Sequence, residues 1–190
     1  MDWHVILVTI HIIGVALGVG GATVSDFLFF KSIKDGKIEA KEFDFMKAAS
    51  KIVWTGFVVL VFSGVSMFIY ERLEMAGPEE MYNPGIWAHI IAALVIFFNG
   101  LAMHWKVFPA FESSLGVPFG RAEQILKSRK IIFTTGAISI VSWYFALILG
   151  ATRGFGLPFS WILAFYAFAV IGAVVVANIV GGYVIKKFTV

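Results

Sequence analysis

Residues 3–30 read WHVILVTIHIIGVALGVGGATVSDFLFF, and the run His11-Ile12-Ile13-Gly14 inside them returns as His89-Ile90-Ile91-Ala92 at an offset of 78 residues. At that offset Asp26 falls on His104, Phe30 on Phe108 and Ser50-Lys51 on Ser128-Arg129. An apolar helix crosses a bilayer in roughly 20 residues, about 30 Å at 1.5 Å per residue. The opening stretch is long enough to do so. Its recurrence predicts an internal duplication in which His11 and His89 are symmetry-related and face each other across a bundle.

Working outward, four further apolar runs follow at about 52–70, 86–105, 131–151 and 158–185, separated by short polar stretches that hold most of the charge. The chain is 59% hydrophobic and 14% charged, and a soluble domain of this size intersperses its charges rather than crowding them. The runs lack period-2 alternation and are too long for barrel strands. The fold class expected is therefore all-α: a single membrane domain over residues 1–190, an integral five-helix bundle whose first four helices form a parallel two-helix duplication. Spans one and three run in one sense and two and four in the other, which sets equivalent residues at one depth around an axis along the membrane normal. The fifth span has no counterpart in the repeat and is expected to cover the core or serve as an assembly surface. The first run is too long for a signal-peptide core and opens without a basic stretch, so cleavage is not expected.

Thirteen of the fifteen basic residues flank the first and third connections or the C-terminal end, from Lys31 to Lys51, Lys106 to Lys130, and Lys186-Lys187. The positive-inside bias then puts the N-terminus outside and the C-terminus in the cytoplasm of a plasma (inner) membrane. The formal charge of +3 is a topology signal, with a minor attraction to anionic lipid, and does not point to nucleic acid. Segment 31–51 reads as a polar cytoplasmic loop with a short surface helix, and segment 119–130 as an amphipathic piece on the cytoplasmic surface. The turn-rich acidic loop from Ala76 to Gly85 falls outside, where a partner would meet it.

Cysteine is absent, which removes disulfides, thiolate-held clusters and cysteine metal sites. Ligation falls to histidine, carboxylate, methionine or tyrosine. Histidine inside an apolar span is rare and costly, and marks function by default. His11 and His89 at one depth suit a shared metal: neutral imidazole binds iron strongly, and a haem b between helices needs paired histidines with slender positions such as Gly14 and Gly18 beside the ring. The competing account is a neutral imidazole hydrogen-bonded to a serine or carbonyl of a neighbouring helix, with the glycines serving helix packing. Fifteen residues separate His11 from Asp26 and His89 from His104, which leaves about 60° of rotation and about 22 Å of descent. Asp26 and His104 thus form a second candidate pair near the cytoplasmic face, to hold a proton or a hydrated metal, or simply to lie hydrated at the headgroups. Ser63, Ser66, Ser139 and Ser142 are expected to bond their own helix backbones. Nucleotide loops, HExxH helices and nucleophile elbows do not occur.

The first span, through His11, Gly14, Gly18, Gly20 and Gly21, resembles the opening helix of the copper-resistance-D-like membrane superfamily, which includes the bacterial membrane protoporphyrinogen oxidase that carries haem b. The third span resembles that oxidase in Trp87-Ala88-His89, Gly100 and His104. Ile91 stands where the oxidase has a lysine, and Ile132 to Gly136 replace its Asn-Glu-Pro-like pattern. The resemblance therefore implies haem binding through His11 more than porphyrinogen oxidation. It also implies copper handling, although methionine-rich stretches that select Cu(I) are missing. Three functions stand at this point: a cytochrome b-like, metal-binding protein of electron transfer or haem-dependent redox chemistry; a cofactor-free proton- or metal-ion-coupled transporter; or a structural membrane subunit. A redox partner or a second copy of the chain is the expected company within the bilayer.

Overall fold

The computed structural model describes residues 3–74, 83–152 and 156–188. The long helices are α1 (Trp3–Asp35), α2 (Ala40–Glu74), α3 (Pro84–Ala102), α5 (Glu123–Ala151) and α6 (Phe159–Lys187). α3 passes through a π-helical turn, Met103–Val107, into the short α4 (Phe108–Glu112), so that Pro84–Glu112 behaves as one span. All five apolar runs lie in helices long and apolar enough to cross a membrane. Among the described residues there is no strand. Phe62, Phe98, Phe168 and Val176 stand out from the helices uncovered, which lipid tolerates and water does not. The protein is a multi-pass membrane protein, consistent with the plasma membrane.

The helices overrun the apolar spans at the basic end. Segment 31–51, expected as a polar loop, is instead the last turn of α1, the turn 36–39 and the first turns of α2. Its Lys, Glu, Ala and Met content favours helix, and both ends are capped. Gly36, at φ +77°, sends its N–H back to the Ser32 carbonyl at 2.8 Å, a left-handed glycine terminus. The Glu42 carboxylate accepts the Glu39 backbone N–H at 3.2 Å, which is half of a capping box. Residues 123–130 likewise become the first turns of α5. The acidic outer loop lies outside the described residues except at its end, where Asn83 Oδ1 accepts the Gly85 N–H at 2.9 Å and Pro84 opens α3. Pro109 lacks an N–H and crowds the carbonyl four residues back. The wider turn before it accommodates this, with Phe108 N–H reaching Met103 O.

α1 and α2 form an antiparallel hairpin whose contacts run from Gly21 on Val53, through Gly18 on Gly56, to Gly14 on Leu60. Without a hydrophobic drive between helices in lipid, close backbone approach is what holds them. α5 is the axis of the rest, with 44% of its most apolar stretch buried against 11–22% for the other spans. It packs on α3, where Asn99 Nδ2 donates to the Thr135 carbonyl at 3.0 Å. On its other flank lies α6, where the Ser142 and Tyr166 hydroxyls meet at 2.7 Å and Asn178 Nδ2 donates to Thr134 Oγ1 at 3.0 Å. The fifth span thus covers α5 and part of α3.

The hairpin joins the α3–α5–α6 layer at two levels. At mid-depth the rings of Phe57 and Phe97 stack at 6.1 Å, and Trp143 meets Phe57 edge-on at 6.4 Å. At the basic end Ile38, Phe43, Phe111, Phe119, Ile125 and Ile132 form a closed apolar core. Two loop-to-loop bonds, Gly116 N–H to Ile38 O and Phe119 N–H to Gly36 O, both 2.8 Å, stitch it. α1 and α3 make no extended contact with each other. Toward the other end they meet through the two imidazoles.

Candidate functional site

His11 is positioned by the glycine seam beneath it. Because Gly14 and Gly18 let α2 approach α1 closely, the fully buried Ser63 of α2 reaches His11, with Oγ 2.9 Å from Nδ1. Ser63 donates its own hydroxyl hydrogen to the Val59 carbonyl at 2.6 Å. The serine oxygen is thereby left to accept, so Nδ1 of His11 carries the ring hydrogen and Nε2 keeps a lone pair. The ring lies beside Gly64, where a Cβ would sit 3.5 Å from Cε1.

His89 follows the fully buried Ala88 on α3, and its Cε1 would be 3.6 Å from a Cβ at Gly150 of α5. Its ring makes no hydrogen bond to the described residues. The two ring centres are 6.4 Å apart, with planes inclined by 48°. Two imidazoles bonded to opposite sides of one metal at about 2.0 Å place their ring centres about 6 Å apart. The observed 6.4 Å is close to that span, while His11 also makes the serine hydrogen bond expected of an imidazole held by a neighbouring helix. Among the described residues no group of three or more His, Cys, Asp or Glu side chains gathers around one point. A free zinc ion calls for three or four protein ligands. A haem iron needs only two axial ones, since the porphyrin supplies the remainder.

Gly14 and Gly18 act through packing: a Cβ at Gly14 would lie 2.9 Å from the Leu60 side chain, and one at Gly18 would lie 2.6 Å from the Trp143 ring. They set how closely α2 and Trp143 approach α1, and so where Ser63 meets His11. Of the serines expected to bond their own backbone, Ser63 does so, whereas Ser142 bonds Tyr166.

Asp26 and His104 are not brought together by any ion pair or hydrogen bond. His104 lies in the π-helical turn, exposed, its ring 5.4 Å from that of Phe108. Asp26 is partly buried and lines a cavity of about 70 Å³ between the hairpin and α3 and α5, together with Ser25, Ser50, Asn99 and Ser139. Sequence reasoning missed this convergence, although each member is a polar residue in or beside an apolar run. No family model, curated protein or solved structure matches this chain.

Proposed function

We propose that the chain is a haem b-binding, cytochrome b-like membrane protein that takes part in electron transfer or a haem-dependent redox reaction, with His11 and His89 as axial ligands. The observation that carries this reading is the 6.4 Å separation of two imidazoles on helices that otherwise do not pack together. Ligand count, the fixed tautomer of His11 and the resemblance of spans one and three to the haem-carrying superfamily favour it further. In this reading spans one to four are a duplicated core, the N-terminus faces outside and the C-terminus the cytoplasm, and the site lies in the outer half of the membrane. Haem, when bound, supplies a one-electron couple.

The chain's own part is positioning and tuning. α1 and α3 present one imidazole each, with ring centres 6.4 Å apart. Ser63 holds the His11 ring in one tautomer and, by accepting from Nδ1, makes Nε2 a stronger donor. A reduced-minus-oxidised absorption spectrum of purified protein tests the reading. A haem b difference spectrum is expected, lost in His11→Ala and in His89→Ala while both variants still elute as folded protein. Ser63→Ala keeps the haem and raises its midpoint potential, because the ligand it leaves behind is a weaker donor. Colourless protein after haem supplementation, with proton- or metal-coupled uptake in vesicles, would replace this reading by the transporter.

A further inference from the structure

Below the aromatic layer of Phe57, Phe97 and Trp143, on the side of the basic connections, the cavity beside Asp26 is walled mainly by apolar side chains, with Ser25, Asp26, Ser50, Asn99 and Ser139 as its polar members toward the basic end of the spans. The carboxylate of Asp26 and the hydroxyls of Ser25, Ser50 and Ser139 make no hydrogen bond to the described protein. Asn99 commits its amide nitrogen to Thr135 O and leaves its Oδ1 free to accept. An ionisable group within a span faces the bundle interior or a water-filled cavity, or finds a partner. A cavity of about 70 Å³ has room for water, which needs at least about 10–15 Å³ of such space. A smaller cavity of about 30 Å³ shares Ser25, Asp26 and Met103 with it. Ser50 precedes the exposed Lys51, where polar sequence begins, so the wet end of the cavity is the basic end.

Charge decides what these walls hold. From α1, α2, α3, α4, α5 and the π-helical turn, the residues lining both cavities include no basic side chain and no titratable group other than Asp26. An ionised Asp26 would have no countercharge. One monovalent positive charge makes the site neutral; a divalent ion overshoots and an anion adds to the deficit. We propose that this cavity is a hydrated proton-binding site, in which Asp26 is the exchangeable acid and the serine hydroxyls and the water between them relay its proton to the basic end. The site stands apart from the imidazole pair, about 22 Å along α1 by helical rise, and does not depend on haem.

A hydrophobic carbodiimide, dicyclohexylcarbodiimide, tests it on the full chain in lipid vesicles. A carboxylic acid adds across the carbodiimide carbon–nitrogen bond, its proton going to nitrogen and its oxygen to carbon, and the adduct rearranges to a stable acylurea read by peptide mass; a carboxylate does not start this reaction. The expected result is an adduct on Asp26 that falls at least about tenfold as pH rises through the range where the acid ionises. It persists in sodium buffers, is absent in Asp26→Asn, and is retained in Asp26→Glu. The same labelling is expected in His11→Ala, which separates this proposal from the haem reading. Absence of the Asp26 adduct at every pH in wild-type protein overturns the proposal, and so does protection by sodium ions, which would make the same oxygens a sodium site.

Discussion

Gly56→Ala tests the α1–α2 seam on which the position of His11 depends. A Cβ at residue 56 would lie 2.5 Å from the Gly18 backbone nitrogen and 2.9 Å from the Gly14 carbonyl oxygen, where ordinary contact begins at 3.4 Å. The atoms met are backbone, so no side chain can swing aside, and the helices must part by about 1 Å. Overpacking costs about 1–3 kcal/mol, and a clash with backbone sits at the upper end of that range. Alanine returns about 1 kcal/mol of helix propensity. The net loss is about 2 kcal/mol, about thirtyfold in the folded-to-unfolded ratio. Gly20→Ala is the matched control, since nothing lies within 4 Å of a Cβ there; it should range from neutral to about 1 kcal/mol more stable. Reversible unfolding in mixed micelles, followed by tryptophan fluorescence and circular dichroism, measures both. Equal stability of the two variants would refute the close seam, and with it the route by which Ser63 reaches His11.

Two more predictions concern the basic end and use the same unfolding assay. Glu42→Ala removes the acceptor of Ser32 Oγ at 3.0 Å and of the Glu39 N–H at 3.2 Å, a loss of about 1–3 kcal/mol. The ion pair with Lys31 at 3.0 Å adds little, because Lys31 is 54% exposed. Glu42→Gln, which keeps an acceptor, should therefore lose less than half as much; equal losses would assign the effect to charge. Gly36→Ala forces a Cβ onto a left-handed backbone and into the Phe188 ring, for a loss of about 1–2 kcal/mol from the backbone alone. In a Phe188→Ala background the clash disappears and the backbone part remains. If Gly36→Ala were neutral there, the turn would not require the left-handed conformation.

Much of this protein is legible before any fold is known. Lipid acts as the solvent for the spans, and a run such as 131–151 declares itself by length and apolarity alone. His11, His89 and Asp26 are conspicuous because polar groups at such depth are costly. The polar connection at 31–51 misleads, because charge marks the membrane boundary but does not stop a helix. Lys and Glu are good helix formers, and only Gly36 and the Glu42 cap decide where α1 ends and α2 begins.

The sequence by itself determined that the chain crosses the membrane in five helices and which residues stand out within them. Only the tertiary structure decided who meets whom: Ser63 with His11, Trp143 with Gly18, Asp26 with three serines and Asn99 instead of His104. The physical reason is that these helices are apolar on every side. Where lipid and protein interior are equally apolar, hydrophobic periodicity no longer says which face turns inward. That choice falls to backbone approach at glycines, ring packing and a few hydrogen bonds, all made between residues far apart in the chain.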